Sequence, residues 1–199
     1  MEEEIKVPTV PLMPPAAVER LERALKVSSC YMEYGSGGST HLASYLGVPA
    51  VISIESDAEW LRTLEGNLKP TPKSRHILLH ADIGPTVAWG HPADSSGWRN
   101  WHEYPLAGWK ACRTHFLSPD LILIDGRFRK ACFYASLIFG KPGAIVLFDD
   151  YGDRVGYHGV EIFCRPTAMH DRMAEFIIPS FVDKELLWLA LLGAVSDPG

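Results

Sequence analysis

The sequence predicts an α/β protein with a doubly wound, mostly parallel sheet and helices on both faces, a Rossmann-like architecture. Three observations predict it. Strand-like and helix-like segments alternate strictly from residue 16 to 150, the order expected when helical crossovers link parallel strands. The runs Ala50-Val51-Ile52-Ser53-Ile54, Leu121-Ile122-Leu123-Ile124 and Ala144-Ile145-Val146-Leu147-Phe148 are continuously apolar, as strands buried on both faces are. Finally, Tyr31 to Thr40 joins an apolar run to a helix through Gly35, Gly37 and Gly38, the ground plan that holds nucleotide-like ligands at a helix N-terminus.

Each element has a local reason. Residues 1 to 13 begin with Met1-Glu2-Glu3-Glu4 and contain Pro8 and Pro11, so they are expected to be ordered only as a packed arm. Pro14 and Pro15 open a helix whose Val18, Leu21 and Leu25 form an apolar stripe. It leads into a strand over 29–34. Ser39 or Thr40 is expected to cap the next helix, and Gly47 to end it. After the 50–54 strand come Glu55 and a capping box of Ser56 with Glu59, opening the helix that carries Trp60, Leu61 and Leu64. A strand over 76–80 ends in Ala81-Asp82. The 121–124 strand ends in Asp125, Ala131 to Phe139 reads as a helix closed by Gly140, and the 144–148 strand ends in Asp149-Asp150. Beyond 150 the pattern weakens: Tyr157, Val160 and Phe163 keep helical spacing, 173–178 reads as a strand and 186–192 as a helix. Residues 84–117 interrupt the alternation. That excursion holds four of the six tryptophans and is expected either to be pinned to the body or to form the wall of a pocket.

At 199 residues and 47% hydrophobic content the chain suits a single domain over 1–199. A net charge of −5 gives no basic footprint for nucleic acid as the main partner. No apolar stretch approaches the ~20 residues of a membrane span. Cys30, Cys112, Cys132 and Cys164 are widely spaced and include no C-x-x-C pair, which argues against a zinc site or disulfide framework and for a reducing cytoplasm.

In such a sheet the ligand crevice lies beyond the carboxyl ends of the strands. Glu33, Glu55, Asp82, Asp125 and the Asp149-Asp150 pair all fall at those ends. Gathered on one edge, the like charges repel unless a ligand or metal compensates them. A dinucleotide fingerprint starting at Gly35 would need a glycine where Thr40 stands. Glu33 is poorly placed for a diphosphate and suits a ligand bearing an ammonium group.

The run Glu33-x-Gly35-x-Gly37-Gly38 resembles the first motif of the class I S-adenosylmethionine (SAM) dependent methyltransferases, and the likeness extends over about residues 28–152. It implies that Glu33, Gly35, Ser36, Gly37 and Gly38 form the cofactor loop. By the same resemblance Glu55, with Ser56, holds the ribose hydroxyls, Ala81, Asp82 and Ile83 meet the adenine, and Asp125 closes the site. Asp125 with Asp149-Asp150 is similar to the metal-assisted O-methyltransferase branch, which implies Mg²⁺ held by Asp125, Asp149 and Asp150. Two departures stand against that branch: Asp150 replaces an Asn, and Phe128 replaces a basic Lys. The alternative leaves the acids to backbone N–H groups and to Arg127 or Arg129. The expected activity is SAM-dependent methyl transfer to a small-molecule hydroxyl. Its proton would go to Asp125 or His91, or be labilised by an ion on Asp125 and Asp149. The rivals are an NAD-dependent oxidoreductase on a similar fold and a SAM- or nucleotide-binding protein without catalysis.

Overall fold

A computed structural model of the chain describes residues 6–69, 71–72 and 74–199; the acidic start at Met1 to Glu4 lies outside the described residues. The parallel strands are β1 (Cys30–Tyr34), β2 (Ala50–Glu55), β3 (Arg75–His80), β6 (Leu121–Ile124) and β7 (Ile145–Phe148). A two-residue hairpin, β4 (Thr86–Val87) with β5 (His91–Pro92), stands apart from the main sheet. The main sheet is completed by β8 (Ala168–His170) and β9 (Met173–Ile177) in the order β3-β2-β1-β6-β7-β9-β8. β9 runs antiparallel to β7 and to β8. The expected 173–178 strand is thus the inner arm of an edge hairpin whose partner, β8, is too short to leave a sequence pattern.

Alternate residues of β1 show how the two faces are filled. Tyr31 joins the cluster under α1 (Pro15–Leu25) and α2 (Gly38–Leu46), while Met32 and Tyr34 join the larger cluster under α4 (Glu103–His115), α5 (Arg129–Phe139) and α6 (Lys184–Ala194). Helix α3 (Ala58–Asn67) packs its Leu61 and Leu64 with Val7 of the N-terminal arm and Leu78 of β3. Every residue of β1, β2 and β6 is buried, which is why these strands read as largely apolar runs, broken by Glu33, Ser53 and Glu55. An ion pair fastens α1 to the sheet edge: Arg20 Nε donates to Glu175 Oε2 at 2.7 Å and a second guanidinium nitrogen donates to Oε1 at 3.0 Å.

Four local expectations are corrected. Gly37, not Ser39 or Thr40, is the residue before α2; both hydroxyls lie in its first turn, and Thr40 Oγ accepts from the Gly37 N–H at 2.9 Å. Asp57, not Ser56, caps α3, accepting from the N–H groups of Glu59 and Trp60. Ser56 is occupied elsewhere, donating to the Gly90 carbonyl at 2.9 Å. The 84–117 excursion divides into two parts: residues 103–115 form α4, the ordinary crossover into β6, and only 84–102 forms an irregular wall. The helical spacing near 157–163 proves to be a 3₁₀ run over Val155–Ile162.

Candidate active site

The strand order reverses between β1 and β6, since β1 leads to β2 on one side while β6 and β7 lie on the other. The loops leaving these two strands meet back to back. Gly35 has φ +89°, and a Cβ there would lie 2.9 Å from the Asp125 backbone and from Gly126 Cα. Any side chain would therefore be strained and would wedge the loops apart. From this meeting point a cavity of about 630 Å³ opens, within the range of small-ligand sites. Ser36, Gly37, Glu55 and Asp57 line one end, Asp125, Arg127, Asp149 and Asp150 line the other, and Pro8, Pro11, Leu12 and Met13 of the N-terminal arm line it as well.

Glu33 does not line this cavity. It is fully buried under the glycine loop, and the hydroxyls of Tyr31, Ser39, Thr40 and Ser53 donate to its carboxylate at 2.5–2.9 Å. Burial pushes its pKa up, and the four donors oppose that shift. Its role is to bind β1, β2 and the first turn of α2 into one unit, so the expected ammonium contact is corrected to a brace for the loop. Gly38 lines the cavity but is demanded by the chain itself, because a Cβ there would run into the backbone of Val10 and Pro11.

Glu55 does line the cavity. Its Oε2 accepts from the Ser36 N–H and hydroxyl at 3.0 and 3.1 Å; its Oε1 accepts from the N–H groups of Ser56 and Asp57 at 2.8 and 3.2 Å, with the Ser56 hydroxyl, whose proton goes to Gly90, 3.3 Å away. The carboxylate thus clasps the glycine loop to the start of α3. Ala81, Asp82 and Ile83, expected at the adenine, are not part of the lining. Asp82 accepts from the Gly84 N–H at 3.0 Å, and Ala81 and Ile83 are buried in the core. Ala88, Trp89 and Gly90 line the cavity instead, and the Ser56 bond ties this hairpin to the end of β2. Trp89 is 76% exposed and has φ +63°, a backbone strain of the kind that gathers at ligand sites. His91 also lines the cavity, with Nδ1 3.0 Å from the Pro92 carbonyl. It follows Gly90, which abuts Ser56 and Glu55, and so belongs to the Glu55 end.

Asp125, Asp149 and Asp150 do converge, with one carboxylate oxygen of each within 4.8 Å of the others. Their counter-charges are arginines. Arg129, 4% exposed, lies 3.2 Å from Asp125 and 3.1 Å from Asp150. Arg172 lies 3.0 Å from Asp149 and 2.8 Å from Asp150, and Arg154 lies 3.1 Å from Asp150. Arg129 also donates to the carbonyls of Gly126 and Asp149 at 3.0 and 2.6 Å. These groups do not fit a divalent ion, which would share its carboxylates with three guanidinium groups and be repelled by them. The ion pairs also explain how Asp150 is held at φ +57°, a conformation that Asp tolerates better than most residues. Asp125 is 31% exposed toward the cavity. Burial, assisted by Asp149 and Asp150, raises its pKa to about 7 against the pull of Arg129 and Arg172.

The sequence gives no sign of Arg154 or Arg172 in the site, and marks Trp89 only as part of an excursion expected either to be pinned to the body or to wall a pocket. Arg172 sits in the β8–β9 turn and Arg154 after β7, where no motif marked them. The alternative that arginines serve the acids was available, but of the two it named only Arg129 makes these pairs.

Fold and crevice together define a doubly wound α/β protein with its ligand site at the switch point. No family model matches the sequence, and no curated protein matches it. Among solved structures, a methyltransferase-like protein from Silicibacter pomeroyi DSS-3 is 37% identical, aligning over 96% of this chain and 100% of its own with a TM-score of 0.85. The chain belongs to the class I SAM-dependent methyltransferase family. The N-methyltransferase NodS from Bradyrhizobium japonicum WM9, solved with S-adenosyl-L-homocysteine, is 12% identical over 83% of this chain and 89% of its own, with a TM-score of 0.48. A likeness at that level says nothing of the acceptor.

Proposed function

We propose that the protein binds SAM across the glycine loop and Glu55 and methylates a hydroxyl of a small molecule held at the Asp125 end. The observation that carries this reading is the single cavity that joins the two ends. The residues present fit the cofactor. Ser36 and Gly37 offer a backbone edge, and the exposed Trp89 ring offers a face to the adenine. The ribose hydroxyls would donate to Glu55 in place of the Ser36 hydroxyl, while Glu55 keeps its backbone N–H bonds. When bound, the cofactor supplies an electrophilic methyl group.

The chain's own task is then alignment and proton removal. Asp125, with a pKa near 7, is suited to accept the acceptor's proton, and Arg129 stabilises the carboxylate form that does so. We assign no step to a metal, since the arginines already supply the compensating charge.

Thermal unfolding tests this reading. S-adenosylhomocysteine at a hundredfold excess over Kd should stabilise the protein by ~2.7 kcal/mol, whereas NAD and Mg²⁺ should leave the midpoint unchanged. Stabilisation by NAD alone would overturn it.

A further inference from the structure

We infer that Arg127 forms an anion subsite and that the acceptor therefore carries a carboxylate or phosphate close to the group that is methylated. The inference rests on the methyl-transfer reading for the word acceptor, but not for the site itself. Four arginines, Arg127, Arg129, Arg154 and Arg172, line the cavity around three aspartates. The aspartates are paired with Arg129, Arg154 and Arg172, Asp125 through one oxygen only. Arg127 makes no ion pair among the described residues, and its Nε is buried without a hydrogen-bond partner. It is also the one of the four that neighbours Asp125 in the loop after β6 while remaining outside that network.

A guanidinium partly withdrawn from water, with its Nε unpartnered and no carboxylate paired to it, is costly to a fold and favours an anionic ligand. Its surroundings offer no local relief. Burial, and then the positive charge of Arg129, lower the Arg127 pKa, while Tyr104 is fully buried and its hydroxyl accepts from the Arg127 backbone N–H at 3.2 Å. The wall around Asp125 thus carries an excess of positive charge, which grows whenever Asp125 is protonated. A planar guanidinium at a cavity wall takes a carboxylate or phosphate through two parallel N–H bonds. An anion so held would set the adjoining hydroxyl beside Asp125, two residues away, and turn alignment into a property of one side chain.

The anion could also be the cofactor's own carboxylate, and the arms of the experiment separate the two. Inorganic phosphate is titrated at constant ionic strength into wild type, Arg127→Gln and Arg127→Lys, with and without saturating S-adenosylhomocysteine, with the unfolding midpoint as readout. The expected result is saturable stabilisation of wild type by phosphate in both conditions, weakened at least about tenfold in Arg127→Gln and partly restored in Arg127→Lys. Affinity for S-adenosylhomocysteine should change by less than about twofold. Equal phosphate binding by wild type and Arg127→Gln, or none by either, overturns the subsite. Competition between phosphate and S-adenosylhomocysteine, with both weakened in Arg127→Gln, assigns Arg127 to the cofactor and overturns the acceptor class. Wild type that binds phosphate through Arg127 but never S-adenosylhomocysteine leaves the anion subsite standing and sinks the methyl-transfer reading instead.

Discussion

Asp125 is the residue whose environment most alters its chemistry. A carboxyl group that titrates near neutrality is half protonated at the pH where the chain is expected to work, and only its ionised form accepts a proton. Turnover should therefore fall about tenfold per pH unit below about 7 and level off above it. Asp125→Asn should lose ~10²–10⁴-fold in turnover together with that pH dependence. A variant retaining the wild-type pH midpoint would exclude Asp125 as the base. Stability should move the other way. The pKa of Asp125 is raised by folding, so the native state holds a proton that the unfolded chain releases. This contribution is full below the ordinary aspartate value of 3.8 and is lost as pH rises through about 7. Asp125→Asn, which mimics the neutral form in shape, should accordingly gain in melting temperature relative to wild type as the buffer is made more alkaline.

At the scale of elements, the N-terminal arm and the start of α2 are fitted to one another. Val7 is buried with Leu61 and Leu64, Gly38 leaves room for the backbone of Val10 and Pro11, and a nitrogen of Arg172 lies 3.5 Å from the Leu12 carbonyl. The arm thus touches both the glycine loop and the arginine–aspartate network, and its prolines and Leu12 line the cavity. Gly38→Ala should displace the arm, costing ~1–3 kcal/mol as other overpacking substitutions do and exposing 6–13 to limited proteolysis. Unchanged protease resistance in a less stable variant would show instead that α2 yields and the arm does not. The proline-rich composition of residues 1–13 signalled an arm, but its seat did not show in the sequence, because a missing Cβ at Gly38 reads the same whether a ligand or a peptide fills the space.

Over the whole molecule, burial is uneven. β1, β2 and β6 are buried throughout, β3 at the sheet edge is partly exposed, and the 84–102 wall carries the exposed Val87, Trp89 and Trp98. Amide hydrogen exchange should therefore be slowest in β1, β2, β6 and β7, approaching the global unfolding free energy, and faster by orders of magnitude across 84–102. Protection of the wall equal to that of β1 would mean that it unfolds only with the core. S-adenosylhomocysteine should slow exchange selectively at 88–91 if Trp89 covers the adenine.

The sequence by itself determined the parallel core, the crossing of the chain at a glycine loop, and the delivery of carboxylates to one edge of the sheet. These follow from local periodicity and from strand polarity: a residue that ends a parallel strand must lie at the carboxyl edge, whatever the rest of the chain does. Only the tertiary structure decided what each carboxylate faces. Glu33 is the penultimate residue of β1 and Glu55 the last of β2, yet Glu33 is enclosed by four hydroxyls while Glu55 reaches the cavity. Asp149 meets Arg172 from 23 residues away, a partner brought by the antiparallel β8–β9 hairpin, whose short strands leave almost no pattern. Charge compensation acts through space within a few ångströms and carries no sequence period, so the acids were legible while the arginines that neutralise them, and the one that does not, were set by the fold.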